Sequence, residues 1–172
     1  MIVITAGHSN SDPGAINGLI TEANVVTDFR NMVAHYLRQG AHDIRTDGDG
    51  STNLPLSNAI KLIKPGSIAV EFHCNASGNK SASGVETLSG SENKVLGRKL
   101  CVAVADTLGI PNRGAKDEGD GQHSRLGFVR AGGLILELFF LSNNADLRAY
   151  LDKKWLVARA VAKVLADADE DY

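Results

Sequence analysis

The chain has 172 residues, 43% of them apolar and 22% charged, with a formal net charge of −2 and two cysteines. That length suits one domain whose core needs no disulfide framework. The charge balance, without a Lys/Arg cluster, excludes nucleic acid as the main ligand; two distant cysteines exclude a Cys-based zinc site, and no apolar run is long enough to span a bilayer.

Ile2–Thr5 is a short β-branched run ending at Gly7 and reads as a buried first strand. A Gly/Ser/Asn/Pro loop follows to Gly18. Thr21 is placed to cap a helix in which Val25, Val26, Phe29, Met32, Val33, Tyr36 and Leu37 recur at helical spacing until Gly40. A weak strand at His42–Thr46, a polar loop at Asp47–Asn53 and a short helix over Leu56, Ile60 and Ile63 come next, the last stopped by Pro65-Gly66. Ser67–His73 and Gly84–Leu88 read as strands on either side of the flexible stretch Ala76–Ser83. Val95 to Leu108 reads as a helix ended by Gly109 and Pro111.

The polar, Gly-rich segment Asn112–Ser124 reads as a loop over a site, and Arg125–Arg130 and Leu134–Phe140 as two strands about the Gly132-Gly133 turn. Two short helices, Asn144–Tyr150 and Lys154–Ala166, precede a frayed acidic end, Asp167–Tyr172. The domain itself is expected over residues 1–168, with 169–172 as tail. Strands alternating with helices predict a single α/β domain: a largely parallel, twisted sheet of about six strands, flanked by helices on both faces. Cys74 and Cys101 are expected as buried free thiols. Met1 to Thr5 has no basic region before it, so synthesis without a signal peptide is expected.

The informative residues are polar groups at the ends of apolar strands. Glu137 interrupts Leu134–Phe140, although a buried carboxylate is costly unless it is paired or coordinated. Glu71 and His73 stand at i, i+2 and share one face of their strand. His8 follows the first strand, at the carboxyl end where open α/β sheets bind ligands. Its loop, Gly7 to Ala15, carries neither a GxxxxGK[ST] nor a GxGxxG pattern, so it is no nucleotide cradle. Glu22 opens the following helix, where the macrodipole favours a carboxylate. If the first, third and last strands are neighbours, His8, Glu22 and His73 meet at one rim with Glu137 beside them. Two imidazoles and a carboxylate with a free fourth position is the ligand set of a catalytic zinc, and a nearby unligated carboxylate supplies a general base.

With these residues in view, the chain resembles the zinc-dependent N-acetylmuramoyl-L-alanine amidases of the amidase-3 type. The family's Gly-His-Gly-Gly-x-Asp-x-Gly-Ala loop matches Gly7-His8-Ser9-Asn10-Ser11-Asp12-Pro13-Gly14-Ala15, and its metal-binding Glu matches Glu22. Its Ser-x-His-x-Asn-Ala motif matches Glu71-Phe72-His73-Cys74-Asn75-Ala76, and its Gly-Val-Glu strand matches Gly84-Val85-Glu86. The closing Glu-x-Gly-Phe-x-Ser-Asn motif matches Glu137 to Asn143, with Phe139 in place of Gly. Ser9 and Asn10 replace the paired glycines, and Glu71 replaces a small polar residue.

The resemblance implies one Zn2+ held by His8, Glu22 and His73, with Glu137 as the base that cuts the amide between N-acetylmuramic acid and L-alanine in peptidoglycan. Glu71, Asn75, Arg113, His123 and Arg125 become candidates to support a ligand or to contact substrate, as does Lys116. It also implies a compact, unregulated enzyme of phage-endolysin type: a monomer made in the host cytoplasm and released to the periplasm through a holin. Lys153, Lys154, Trp155, Arg159 and Lys163 give the last helix a membrane-active composition, but packing against the sheet is the preferred reading of its apolar residues. A zinc peptidase cutting within the stem peptide and a non-catalytic peptidoglycan-binding module are the alternatives.

Overall fold

Ile2–Ala6 forms β1, five residues of which four are β-branched, buried on both sides. The computed structural model describes residues 1–121 and 126–170. After β1 come a two-strand ribbon, β2 (Ile16–Asn17) and β3 (Ile20–Thr21), then α1 (Glu22–Gln39), β4 (Ile44–Thr46), α2 (Leu56–Leu62) and β5 (Ile68–Asn75). The second half holds β6 (Val85–Ser89), α3 (Lys94–Leu108), β7 (Asn112–Lys116), α4 (Gly127–Arg130), β8 (Leu134–Phe140) and α5 (Asn144–Glu170).

The central sheet has six strands in the order β4-β1-β5-β8-β6-β7. Among the described residues its pairings are parallel except one: β6 runs antiparallel to β8, with Glu86 opposite Glu137. The expected adjacency therefore holds, since β5 lies between β1 and β8. Each face of the sheet has its own core. Ile2, Ile4, Val70, Phe72 and Leu136 pack with α1, α3 and α5 in the larger one. Val3, Ala69, Leu88 and Ile135 pack with Ala59 of α2 and Phe128 and Val129 of α4 in the smaller one. Because strand side chains alternate, Glu71, His73 and Glu137 fall on the smaller-core face, just beyond where that core ends.

Local signals explain the helix limits. Asn24 N donates to Thr21 Oγ1 (3.3 Å) at the start of α1, and Gly109, at φ 73°, closes α3 in a left-handed turn. Cys74 and Cys101 are buried and unpaired. Phe139, where the family pattern has Gly, is fully buried and stacks on Tyr150 at 4.8 Å, so α5 supplies the space that residue needs.

Four expectations are corrected. Asn112–Lys116 is strand β7 and not part of a loop; as an edge strand it needs pairing on one side only, so it carries no apolar alternation. The segment expected as a strand from Arg125 to Arg130 holds the one-turn helix α4, whose adjacent Phe128 and Val129 both enter the smaller core. The two expected C-terminal helices are one, α5, because no breaker stands between Tyr150 and Lys154. This helix runs on to Glu170 where fraying was expected, and Asp169 is tied to the Met1 amino group (2.9 Å) and to His42 (3.1 Å). Val157, Val161 and Leu165 of α5 lie in the core, while Trp155 and Leu156 remain exposed. No described helix is long and apolar enough to cross a membrane.

Candidate active site

β1 gives way to a turn that is held from several sides. Gly7 N continues the ladder to Phe72 O (2.9 Å), and His8 then takes φ 66°, a left-handed conformation uncommon for a side-chain-bearing residue. Ser9 and Asp12 exchange backbone hydrogen bonds, and Asn10 accepts from Asn53 N (2.7 Å) while donating to Ser51 O (2.7 Å). Asn53 in turn donates to Gly7 O (2.8 Å). Of the two residues that replace the paired glycines, Asn10 thus pins the turn to the loop after β4, while Ser9 closes the turn on Asp12 and Ser11. That loop is anchored by a fully buried ion pair, Arg30 Nη1 to Asp47 Oδ1 (2.8 Å), and by Arg30 Nη2 donating to Thr52 O (2.9 Å). A strained turn persists when its surroundings over-determine it, and these contacts do so.

Glu22 is the hub of the site. It is buried in the first turn of α1, with Oε1 accepting from Cys74 N (2.9 Å) and Oε2 from Ala15 N (3.0 Å). The same oxygens meet His73 Nδ1 (3.1 Å) and His8 Nε2 (2.9 Å). The two imidazoles stand edge to face with centroids 5.1 Å apart. Each ring has a carboxylate at its other nitrogen: Asp12 Oδ2 at His8 Nδ1 (3.0 Å) and Glu71 Oε1 at His73 Nε2 (3.1 Å).

Two glycines make this approach geometrically feasible. A Cβ on Gly7 would sit 2.3 Å from the His73 ring, and one on Gly14, itself at φ +64°, would sit 2.6 Å from both Glu22 Oε2 and His8 Nε2. One ligand atom from each of His8, Glu22 and His73 lies within 4.8 Å of the others. Two nitrogens and an oxygen, with carboxylates behind both imidazoles, fit a zinc ion in donor type and in outer support.

The electrostatics follow from burial and these contacts. Burial pulls both imidazoles down, but Glu22 and Asp12 outweigh it at His8, and Glu22 and Glu71 outweigh it at His73, so both stand above the usual histidine range. Burial pushes Glu22 up, yet the two histidines hold it well below the ordinary carboxylate value.

Glu137 is different. It lies opposite His73 on β5, part of its side chain reaches the cleft, and its Oε2 is sealed from solvent without a hydrogen-bond partner among the described residues. Burial pushes its carboxyl up to about 7, against the pull of His73 and with help from Glu22 and Glu86. A buried carboxylate oxygen without a protein partner implies a partner from outside the chain.

The cleft has a volume of about 430 Å3, with His8, Glu22, His73 and Glu137 on one side and Leu56, Leu88, Phe128 and Ile135 among its apolar walls. Its far edge carries a cluster in which Asn75, Arg113 and Lys116 were expected near the site, but Glu86 was not foreseen as their common partner. Buried Glu86 accepts from Asn75 Nδ2 (3.0 Å), Arg113 Nε (2.6 Å) and Lys116 Nζ (2.7 Å), and the Arg113 guanidinium lies 5.0 Å from the centre of the Phe140 ring. Burial pushes Glu86 up, but the two cations hold it below the ordinary value. The available signal was the family's Gly-Val-Glu strand, matched by Gly84-Val85-Glu86. Asp12 was likewise overlooked as a contact to His8. The structure gathers His8, Glu22, Glu71, His73, Asn75 and Glu137 around one cleft, and Arg113 stands behind its edge on Glu86; His123 and Arg125 lie outside the described residues.

A family model described as N-acetylmuramoyl-L-alanine amidase matches residues 2–167. No curated protein matches the chain. Among solved structures, a Neisseria meningitidis protein assigned as an N-acetylmuramoyl-L-alanine amidase is 45% identical, with a TM-score of 0.89, over 98% of this chain and 95% of that one. The catalytic domain of the amidase CwlV from Bacillus (Paenibacillus) polymyxa shares the fold at 22% identity, with a TM-score of 0.84 over 98% and 97% of the two chains. The catalytic domain of the CD27L endolysin, which targets Clostridia difficile, shares it at 24% identity, with a TM-score of 0.72 over 96% of each chain.

Proposed function

The chain belongs to the N-acetylmuramoyl-L-alanine amidase family, and we propose that it uses one zinc ion, held by His8, Glu22 and His73, to hydrolyse the amide between N-acetylmuramic acid and L-alanine, with Glu137 as the base. The observation that carries this reading is the unpartnered, buried Oε2 of Glu137 on the same cleft as a gathered His/Glu/His donor set. Bound there, zinc supplies Lewis acidity toward a carbonyl and lowers the pKa of a water toward ~7.

Every other part of the reaction falls to the protein. Glu137 Oε2 takes one proton from the attacking water as the new C–O bond forms, and returns it to the alanine nitrogen as the C–N bond breaks. Burial raises this carboxyl above the ordinary value in the metal-free site, the direction that suits a group that must both take and return a proton. Glu86, Arg113 and Lys116 together carry one net positive charge at the far edge of the cleft, suited to a carboxylate of the stem peptide. The apolar wall from α2, β6 and α4 excludes water from the opposite side.

We place the enzyme in a lytic role of phage-endolysin type, reaching the periplasm from the cytoplasm. What supports this is access: His8 and His73 each keep an edge in solvent. Mass spectrometry of soluble products from purified Gram-negative sacculi tests the proposal. Free stem peptides beginning at L-alanine are expected from the zinc-loaded protein without an activator, and none from Glu137→Gln. Fragments cut within the stem would overturn the choice of bond, and inactivity of a folded, zinc-loaded sample would overturn the enzyme itself.

A further inference from the structure

We propose that Glu71 is a positioning residue that makes Nδ1 the metal-binding atom of His73, by accepting a hydrogen bond from Nε2–H; this rests on the zinc reading above. The His73 ring lies between two carboxylates, Glu22 Oε1 at Nδ1 and Glu71 Oε1 at Nε2, each 3.1 Å away. A carboxylate only accepts, so a ring that satisfies both must present a positive or donating group on each side. A cation can supply that only on the Glu22 side. There Glu22 and His8 complete the donor set, whereas Glu71 lies outside it. The remaining proton belongs on Nε2, facing Glu71.

Glu71 is built to hold it. It is buried, and Thr5 Oγ1, also buried, donates to its other oxygen, Oε2 (3.3 Å). Thr5 and Glu71 are direct partners across the β1–β5 pairing, so the sheet fixes their separation. Glu71 and His73 lie two residues apart on one strand face, about 6.6 Å at the Cα atoms. A glutamate reaching along the strand spans the distance to the far nitrogen of the ring. The small polar residue of the family pattern is too short to do so. Gly7, close against the ring, leaves it little room to turn. This chain therefore buries an extra carboxylate at the position where it raises the basicity of the ligand and settles its tautomer.

The test measures zinc affinity and ring tautomer, not turnover. Zinc binding is titrated against a chromophoric chelator for the wild type, Glu71→Ala and Glu71→Gln, and nitrogen NMR of 15N-histidine-labelled protein reads which His73 nitrogen is protonated. The expected results are an Nε2–H, Nδ1-metallated ring in the zinc-loaded wild type, a loss of affinity of roughly 10- to 100-fold in Glu71→Ala, and recovery to within several-fold in Glu71→Gln, which keeps an acceptor oxygen of the same reach. Affinity in Glu71→Ala within twofold of wild type, or an Nδ1–H ring in the zinc-loaded wild type, would overturn the inference while leaving the zinc site standing. If Glu71→Ala does not fold, the wild-type tautomer and Glu71→Gln decide the matter alone. Failure of the wild type to take up zinc would refute the metal reading and this inference with it.

Discussion

Replacing Gly7 by alanine adds one methyl group to the molecule and aims it at the site. Gly7 is not in the left-handed region, so the backbone accepts a side chain there, and its hydrogen bonds to Phe72 and Asn53 are untouched. The new Cβ would stand 2.3 Å from His73 Cε1, 2.4 Å from Nε2 and 2.6 Å from Nδ1. Ordinary carbon contacts begin near 3.5 Å, so the imidazole must retreat by about 1 Å. A retreat of that size breaks one or both of its 3.1 Å contacts with Glu22 and Glu71. Misplacing a reacting group by about 1 Å costs on the order of 10²-fold, about 2.7 kcal/mol of barrier. Release of stem peptides from sacculi should fall by that factor, with zinc affinity falling alongside, while the thermal transition stays cooperative. Wild-type kcat/KM together with wild-type zinc affinity in Gly7→Ala would refute this account of how the ligand is held.

Glu137→Gln should keep zinc bound yet lower kcat by about 10²- to 10⁴-fold, the usual worth of a general acid–base group; unchanged kcat would remove Glu137 from the chemistry. In metal-free protein Glu137 titrates at about 7 instead of 4.5, and His8 and His73 titrate above 6.5. The folded state then binds more protons than the unfolded chain, so stability should decline from about pH 5 to pH 8. Glu22, whose value is lowered, acts in the opposite sense only as the pH falls through 4.5 and below. Thermal melts of chelated protein that rise across that window would contradict the assignments. Asp47→Ala leaves the Arg30 guanidinium buried without its partner and should cost about 3–5 kcal/mol in urea unfolding. A loss below about 1 kcal/mol would mean that water or a neighbour replaces the carboxylate. Arg113→Ala should raise KM for stem-peptide substrates more than it lowers kcat, and a pure kcat effect would place Arg113 nearer the reacting atoms.

The metal half of the site was legible because its residues violate their surroundings. His8 at a strand end, His73 and Glu71 on one strand face, and Glu137 within an apolar run each carry a burial cost that invites explanation. The parallel core strands and α1 were equally plain, since their apolar runs and periodicity agree with their caps. β7 was hidden because an edge strand is half solvated and this one spends its polar residues on Glu86. The one-turn helix α4 is too short to establish a period, and its two buried residues are adjacent, which mimics a strand. Glu86 and Asp12 were visible as residues but not as contacts. The first depends on an antiparallel reversal and the second on a left-handed turn at a histidine, neither of which leaves a periodic trace.

That reversal also separates the molecule's obligations. The metal donors all come from residues 8 to 73, whereas the charged cluster proposed to meet the peptide comes almost wholly from the segment Gly84 to Lys116, which carries β6, α3 and β7. Asn75, the opposed pair Glu86 and Glu137, and Arg113 over the Phe140 ring tie the two together beside the cleft. The segment is thus set apart by its task and not by its packing, since β6 lies within the sheet and Leu100, Val104 and Leu108 of α3 lie in the larger core. Replacing it with the equivalent stretch of a relative should transfer that relative's choice of stem peptide to this chain while its zinc affinity stays where it was.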